Sequence, residues 1–567
     1  MEDIKLTGYP SIDKPWLKYY SEEDKAATLP KMTMYQMLWN SRKDHLDDDC
    51  IHYYGSRITY RDFIKNIHKT VNVLAEMGIG KGDIVTIVSL HTPETFYAIY
   101  ALNYIGAIAN MLYISLTEHE IVESVKNTDS KALLILDLVP GKAETLAGQL
   151  NIPVVLLSLT DSMPPLTRLL FSLKEKRARP NLPALKEYLQ KASAECTIKM
   201  CEDSEATAVL VYTSGTTGSP KGVMLSNTCL NNVAFSCQHA GRGYQRGDKY
   251  LNTIPPFLGF GISMNHLGFC AGFVSQILLA ADPDEIAKAL VKRKSNRIVY
   301  GPRLADSIIH HAKGNLGYLK EFTGGGEAIA PDKEREINAF LEEHHALTRY
   351  NAGYGMTEAA SVVSCNVNHA YKLESVGIPS VTTNVKVVDD GTEQSYNAVG
   401  ELCFSSPSIM KGYYKNPQAT AEVLETDANG TVWLHSGDLG YVDEDGFIFI
   451  TGRLKRIYTV FGKDKAMYKL FPQRIEEFVS SLPGVDSCAV TVQEDAVKLH
   501  VATAFVVPTN KNCDKERLVS NITKEIERNL PEYLMPAAIH IIDSMPLTTS
   551  GKVDMAVLRD WEAKIAS

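Results

Sequence analysis

The stretch that most constrains this chain is residues 212–222, YTSGTTGSPKG, directly behind the apolar run 208–211, AVLV. A short apolar run bounded by turn residues reads as a buried strand. The loop after it sets the hydroxyls of Thr213, Ser214, Thr216 and Thr217 among Gly215 and Gly218, and ends at Lys221. Glycines let backbone N–H groups close on an anion, hydroxyls add donors, and a lysine supplies charge for a polyphosphate. The G-x-x-x-x-G-K-[ST] spacing of a Walker A loop is absent. A Ser/Thr/Gly surface turn is the bland alternative, and the position behind a buried-type strand argues for a phosphate cradle instead.

At 567 residues the chain is too long for one core, so two or more domains are expected. Hydrophobic residues make up 45% and charged ones 22%, an ordinary globular balance. The net charge of −9 disfavours nucleic acid as the main partner but allows a local basic site. Ten cysteines without a CxxC pair read as free thiols in a reducing compartment. The opening MEDIK lacks a basic-then-apolar leader, and no apolar run is long enough for a transmembrane segment. A cytoplasmic enzyme is the expectation; the sequence leaves its oligomeric state open.

The chain alternates strand and helix patterns. A helix is expected near 34–40. The apolar run 83–90 suits a central parallel strand. Residues 93–105 read as a helix, with Phe96, Ile99, Tyr100 and Tyr104 at helical spacing, and 106–112 as another strand. A helix at 118–126 then leads to a strand at 132–136. The fold class expected is α/β, doubly wound. Segment 159–179 is apolar first and basic after; it reads as a helix packed on its own domain, with a lipid-touching surface element as the alternative.

Six further stretches carry chemistry. Segment 254–261, IPPFLGFG, sets aromatic and glycine residues side by side, with Met264 nearby and His266 read as a satisfied wall or core residue. Segment 323–329 is glycine-dense ahead of a helix, so a flat ring can approach its backbone. Segment 351–358, NAGYGMTE, offers an aromatic face at Tyr354, a hydroxyl at Thr357 and a hard oxygen ligand at Glu358. Asp438 follows a tight glycine turn in 433–438, WLHSGD, and 451–456, TGRLKR, follows an apolar strand at 446–450. Lys552 sits behind Ser550 and Gly551 in 546–552, PLTTSGK.

These stretches together resemble the adenylate-forming superfamily of acyl- and aryl-CoA ligases, luciferases and peptide-synthetase adenylation domains, and the resemblance spans nearly the whole chain. It implies a large N-terminal domain, residues 1–455, and a small mobile α+β lid, residues 456–567. It assigns ATP or AMP contacts to Thr213, Ser214, Gly215, Thr216, Thr217, Gly218, Gly326, Glu327, Ala328, Asn351, Tyr354, Gly355, Thr357, Asp438 and Arg453. Catalysis falls to Lys552, Thr357 and Lys221, Mg²⁺ binding to Glu358, and the hinge to Lys455 and Arg456. The resemblance implies that Phe257, Leu258, Gly259, Phe260 and Gly261 wall the carboxylate pocket; Leu258 stands where many relatives carry histidine, so no catalytic histidine is assigned there. Arg456 stands where aspartate is common. The path 457–477 is longer than the family pattern, and Lys463, Lys465 and Lys469 in it either meet CoA phosphates or form a solvated basic loop. The implied reaction is ATP-dependent activation of a small-molecule carboxylate as its acyl-adenylate, followed by transfer to CoA. The alternatives are transfer to the phosphopantetheine of an acyl carrier protein, or an inactive adenylate-binding protein.

Overall fold

A computed structural model describes residues 6–138, 141–175, 180–213, 221–280, 282–456, 458–461, 467–495, 498–548 and 552–566. A seven-stranded sheet runs in the order 412–413, 222–226, 207–212, 108–112, 84–88, 132–136, 154–157. Its central strands are parallel: Ile84–Val88 pairs with Ile108–Leu112 on one side and Ala132–Leu136 on the other. All five residues of Ile84–Val88 are buried, which explains why this strand is apolar at every position but Thr86 rather than alternating.

A nine-stranded sheet carries Lys249–Asn252, Arg297–Val299, Glu321–Gly324 and Tyr350–Met356 among its strands. One core joins the two sheets. It runs from Ile87, Met111 and Val211 of the first, through Phe96, Tyr100 and Phe269 on helices, to Ile51, Tyr250 and Ile277 of the second. The helix Pro93–Ile105 starts where sequence predicts, capped by the Thr92 side chain with Pro at its first turn, and stops at Gly106 in the left-handed region (φ 85°). It is buried on almost every side, so its apolar periodicity understates its burial.

A third, six-stranded sheet includes Gly400–Ser405, Val432–Val442 and Ile448–Arg453. The last of these was expected at 446–450; it begins later and runs on to Arg453, placing Arg453 directly across from Asp438. The chain then makes a turn at Leu454–Arg456 and enters a C-terminal unit of three strands with the helices Pro472–Ser480, Lys515–Asn529 and Met555–Ala566. The long path after 457 contains a hairpin, Tyr458–Phe461 against Met467–Leu470. Lys463 and Lys465 lie outside the described residues. The helix Pro165–Glu175 forms within 159–179, yet Leu166, Leu169 and Leu170 are exposed while Phe171 packs on the main core, so only part of its apolar face is covered.

Candidate active site

A cavity of about 750 Å³ opens where the parallel strands of the nine-stranded sheet end. Its walls come from 253–260, 300–303, 323–327, 353–357 and, from the C-terminal unit, Leu547 and Lys552. Five stretches that are far apart in sequence therefore meet at one space.

The loop beginning at Thr213 leaves strand Thr207–Tyr212, and the chain returns through strand Gly222–Ser226, which pairs antiparallel with it. The Thr213 N–H donates to the Lys221 carbonyl at 3.2 Å, pinching the loop at its base. Ser214, Gly215, Thr216, Thr217 and Gly218 lie outside the described residues. The Lys221 ammonium stands 4.8 Å from the centre of the Tyr413 ring, and the Tyr413 hydroxyl donates to Glu358 at 2.8 Å. Tyr413 was not singled out from the sequence. Its only signal is an aromatic pair behind Gly412, and the link to Glu358 is a tertiary one.

The glycine turn behaves as expected of a backbone surface. A Cβ on Gly324 would fall 1.8 Å from the Tyr350 hydroxyl, so that position excludes any side chain. Gly326 and Glu327 line the cavity, and Glu327 pairs with Arg303 at 3.5 Å. Ala328 is exposed and off the cavity wall. Asn351 is buried beneath the wall, where its amide donates to Thr348 Oγ1 and the Arg349 carbonyl, each at 3.2 Å. Tyr354, Gly355 and Thr357 are wall residues.

Asp438 is 4% exposed and holds two partners: the Tyr354 hydroxyl donates to one oxygen at 2.5 Å, and Arg453 Nε lies 2.9 Å from the other. The preceding turn is set by Glu401, which sequence reading missed. One Glu401 oxygen accepts the Gly437 N–H at 2.9 Å, and the other lies 2.8 Å from His435 Nδ1. Gly437 needs its glycine here, with φ at 69°. Glu425 meets His435 Nε2 at 3.1 Å. Contact with Cys403, Glu401 and Glu425 pushes the His435 imidazole well above its ordinary range, so it is a cation clamped between carboxylates.

Phe257, Leu258, Gly259 and Phe260 line the apolar part of the cavity. Gly261 is buried behind it, where a Cβ would fall 1.9 Å from the Pro255 carbonyl. Gly259 opens the helix Gly259–Ala271 against Thr357, with only 3.2 Å between its Cβ position and Thr357 Cγ2. His266 is fully buried, bonded to Tyr100 at 2.8 Å and Asn231 at 2.9 Å, and burial holds its pKa down to about 3. It is a neutral core residue. Where the chain enters the C-terminal unit, Arg456 forms a two-pronged pair with Glu476 at 3.0 and 2.7 Å and donates to the Val490 carbonyl at 2.9 Å. Its charge is therefore spent inside the C-terminal unit. The Lys455 side chain lies outside what is described.

Lys552 lines the cavity, and its carbonyl accepts the Thr548 N–H at 2.7 Å. Crowding by the cleft walls lowers its pKa first, and the Arg453 charge lowers it further. Asp438, Glu327 and Glu358 oppose both, and part of the side chain still reaches solvent. A lowered ammonium pKa means the charged form is lost earlier as pH rises. The Lys552 ammonium should therefore lose its proton below lysine's ordinary 10.5. Arg453→Gln should move that titration upward, read by the pH dependence of lysine modification; an unmoved titration would detach Lys552 from Arg453.

Comparison with known proteins follows the same outline. The family model described as AMP-binding enzyme matches residues 38–414, and the AMP-binding enzyme C-terminal domain matches residues 474–552. A long-chain-fatty-acid–CoA ligase of Bacillus subtilis (strain 168) is 27% identical over 563 residues, covering 95% of this chain and 96% of its own. A 4-coumarate–CoA ligase 2 of Petroselinum crispum is 26% identical over 528 residues, covering 90% of each chain. Among solved structures, ATP-bound MatB from Rhodopseudomonas palustris superposes with a TM-score of 0.80 at 22% identity, covering 94% of this chain and 100% of its own. The o-succinylbenzoate CoA synthetase of Bacillus subtilis, in complex with its acyl-adenylate intermediate, gives a TM-score of 0.76 at 22% identity, covering 92% and 98%.

Proposed function

The chain belongs to the AMP-binding enzyme family, and from that premise we propose that it is an AMP-forming acid–CoA ligase working through the residues gathered at this cavity. One observation carries the reading. Lys552 from the C-terminal unit, the glycine turn at 324–327, Tyr354, Thr357 and the apolar segment 257–260 all line the same space.

A carboxylate oxygen of the acid attacks the α-phosphorus of ATP. The new O–P bond forms as the bond to the bridging oxygen breaks, and its electron pair leaves with pyrophosphate. The chain's part is positioning and neutralisation of charge. Adenine lies along 324–327 and Tyr354, Asp438 takes the ribose hydroxyls with Arg453 beside it, and Lys552, Lys221 and Thr357 face the phosphates. Glu358 suits Mg²⁺, which accepts few carboxylates and completes its sphere with phosphate oxygens and water. Tyr413 bonds one oxygen of Glu358, and the carboxylate's charge is felt by Lys552 across the cleft. When bound, the metal would add neutralisation of phosphate charge. The CoA sulfur, its proton lost to solvent, then attacks the acyl carbon and AMP leaves. The lid, residues 456–567, pivots at Lys455 and Arg456 between the two steps, carrying Arg456 with it through Glu476. A mixed anhydride hydrolyses readily, so closure must exclude water.

The test is a carboxylic-acid panel assayed for pyrophosphate, AMP and acyl-CoA, with CoA and with a phosphopantetheinylated carrier protein in parallel. Stoichiometric acyl-CoA is expected; acylated carrier protein without acyl-CoA would overturn the assignment of acceptor. Asp438→Asn should raise the dissociation constant for AMP by about 10- to 100-fold, the worth of charge-assisted hydrogen bonds. Equilibrium binding reads this directly, and unchanged affinity would remove Asp438 from the ribose site.

A further inference from the structure

The deep end of the cavity is not apolar. Tyr250, Arg297 and Glu321 stand opposite one another on three adjacent parallel strands, so their side chains share one face of the sheet. Arg242 joins them from the preceding loop, 2.7 Å from Glu321. Arg297 lies 3.1 Å from Glu321 and 2.7 Å from Asp248, and Lys320 lies 2.7 Å from Asp248. All of these except Asp248 and Lys320 line the cavity. The cluster holds three cations, Arg242, Arg297 and Lys320, against two anions, Asp248 and Glu321. The thiols beside it do not supply the missing negative charge, because burial pushes Cys237 up to about 12 and also raises Cys365.

Two buried donor atoms here have no hydrogen-bond partner among the described residues, the Tyr250 hydroxyl and Arg242 Nε. The Arg242 side chain also interacts with the weakly accepting Cys365 thiol. Tyr250 is 4% exposed and the Arg242 side chain 9%. Other tyrosines of the same core are satisfied: Tyr53 donates to the Leu159 carbonyl, Tyr60 to the Phe269 carbonyl, and Tyr100 bonds His266. Unsatisfied buried donors are costly, and where they line a cavity they indicate a ligand group that completes them.

We propose that this pocket selects acids carrying a second hydrogen-bond-accepting group, a carboxylate above a hydroxyl or carbonyl, at the end remote from the reacting carboxylate, where Arg242 and Tyr250 receive it. This rests on the acid–CoA ligase reading and narrows its substrate class. An alkyl end would bury the same donors without a partner and leave the excess positive charge uncompensated.

The experiment uses the full chain and straight-chain, benzoic and cinnamic acids, each ending in methyl, hydroxyl or carboxylate, with acyl-CoA formation as readout. Acceptor-ended acids should exceed their methyl-ended partners in kcat/KM by at least about tenfold. Tyr250→Phe removes only an unpartnered hydroxyl, so folding is not at stake, and it should cut that ratio by about tenfold. Arg242→Gln should cut the ratio for carboxylate-ended acids more than for hydroxyl-ended ones. A ratio near one in the wild-type chain, or one unmoved by Tyr250→Phe, overturns the proposal while the ligase reading stands. Failure of every acid to yield pyrophosphate overturns both.

Discussion

Lys552→Ala is expected to lower the rate of acyl-adenylate formation by about a thousandfold or more, the scale set by losing a preorganised charge at a centre where negative charge develops. The ammonium has no substitute in that place. Lys221 approaches from the phosphate loop and is held against Tyr413, and Arg453 is tied to Asp438. Affinity for AMP should change by no more than a few-fold, because the glycine turn, Tyr354 and Asp438 belong to other segments. Carboxylate-dependent ATP–pyrophosphate exchange measures the first effect, and equilibrium binding the second. A chemically prepared acyl-adenylate given to the variant with CoA should still yield thioester, since that half-reaction begins after pyrophosphate has gone. Exchange at the wild-type rate would sink the assignment; loss of both half-reactions together would show that the lysine shapes the lid and not the phosphate charge.

Arg297→Met should cost about 3–5 kcal/mol of stability, the range for removing one partner from a buried ion network. Arg297 is 1% exposed, bonded to Asp248 and Glu321, and its guanidinium lies 4.4 Å from the Tyr244 ring centre and 5.4 Å from that of Phe273. Methionine restores some packing volume but no donor. Asp248 then keeps Lys320, and Glu321 keeps Arg242, so each carboxylate retains half of its compensation. The loss should appear as a fall of several degrees in the first thermal transition. An unchanged transition would mean that desolvating these ions costs as much as their pairing returns.

Much of this site is legible in the primary structure because its parts are local. The loop behind 208–211 declares itself by glycines and hydroxyls, and the bounds of helix Pro93–Ile105 by Thr92, Pro93 and Gly106. The turn within 323–329 is readable from its run of three glycines ahead of a helix, while the Tyr350 contact that excludes a side chain at Gly324 is a tertiary one. Other parts were missed for a common reason. Glu401 shapes the turn before Asp438 only because its strand pairs with Val432–Val442, and Tyr413 meets Glu358 across unrelated segments. Ala328 and Asn351 share the glycine-rich and NAGYGMTE stretches with wall residues, yet one points to solvent and the other into the layer beneath. A motif states which residues are near in sequence, not which of them face the cavity.

The sequence by itself determined which local stretches to examine: a glycine- and hydroxyl-rich loop behind a strand, a glycine-dense turn, an aspartate after a tight glycine and a lysine near the end of the chain, each encoded in a handful of neighbouring residues by backbone freedom and side-chain chemistry. Tertiary structure decided what the site can hold. Tyr250, Arg297 and Glu321 become one polar row only through the register of three parallel strands, and register is set by the packing of both sheets around a shared core. No spacing along the chain announces a contact of that kind, because the energy that fixes it is spread over the whole buried interface.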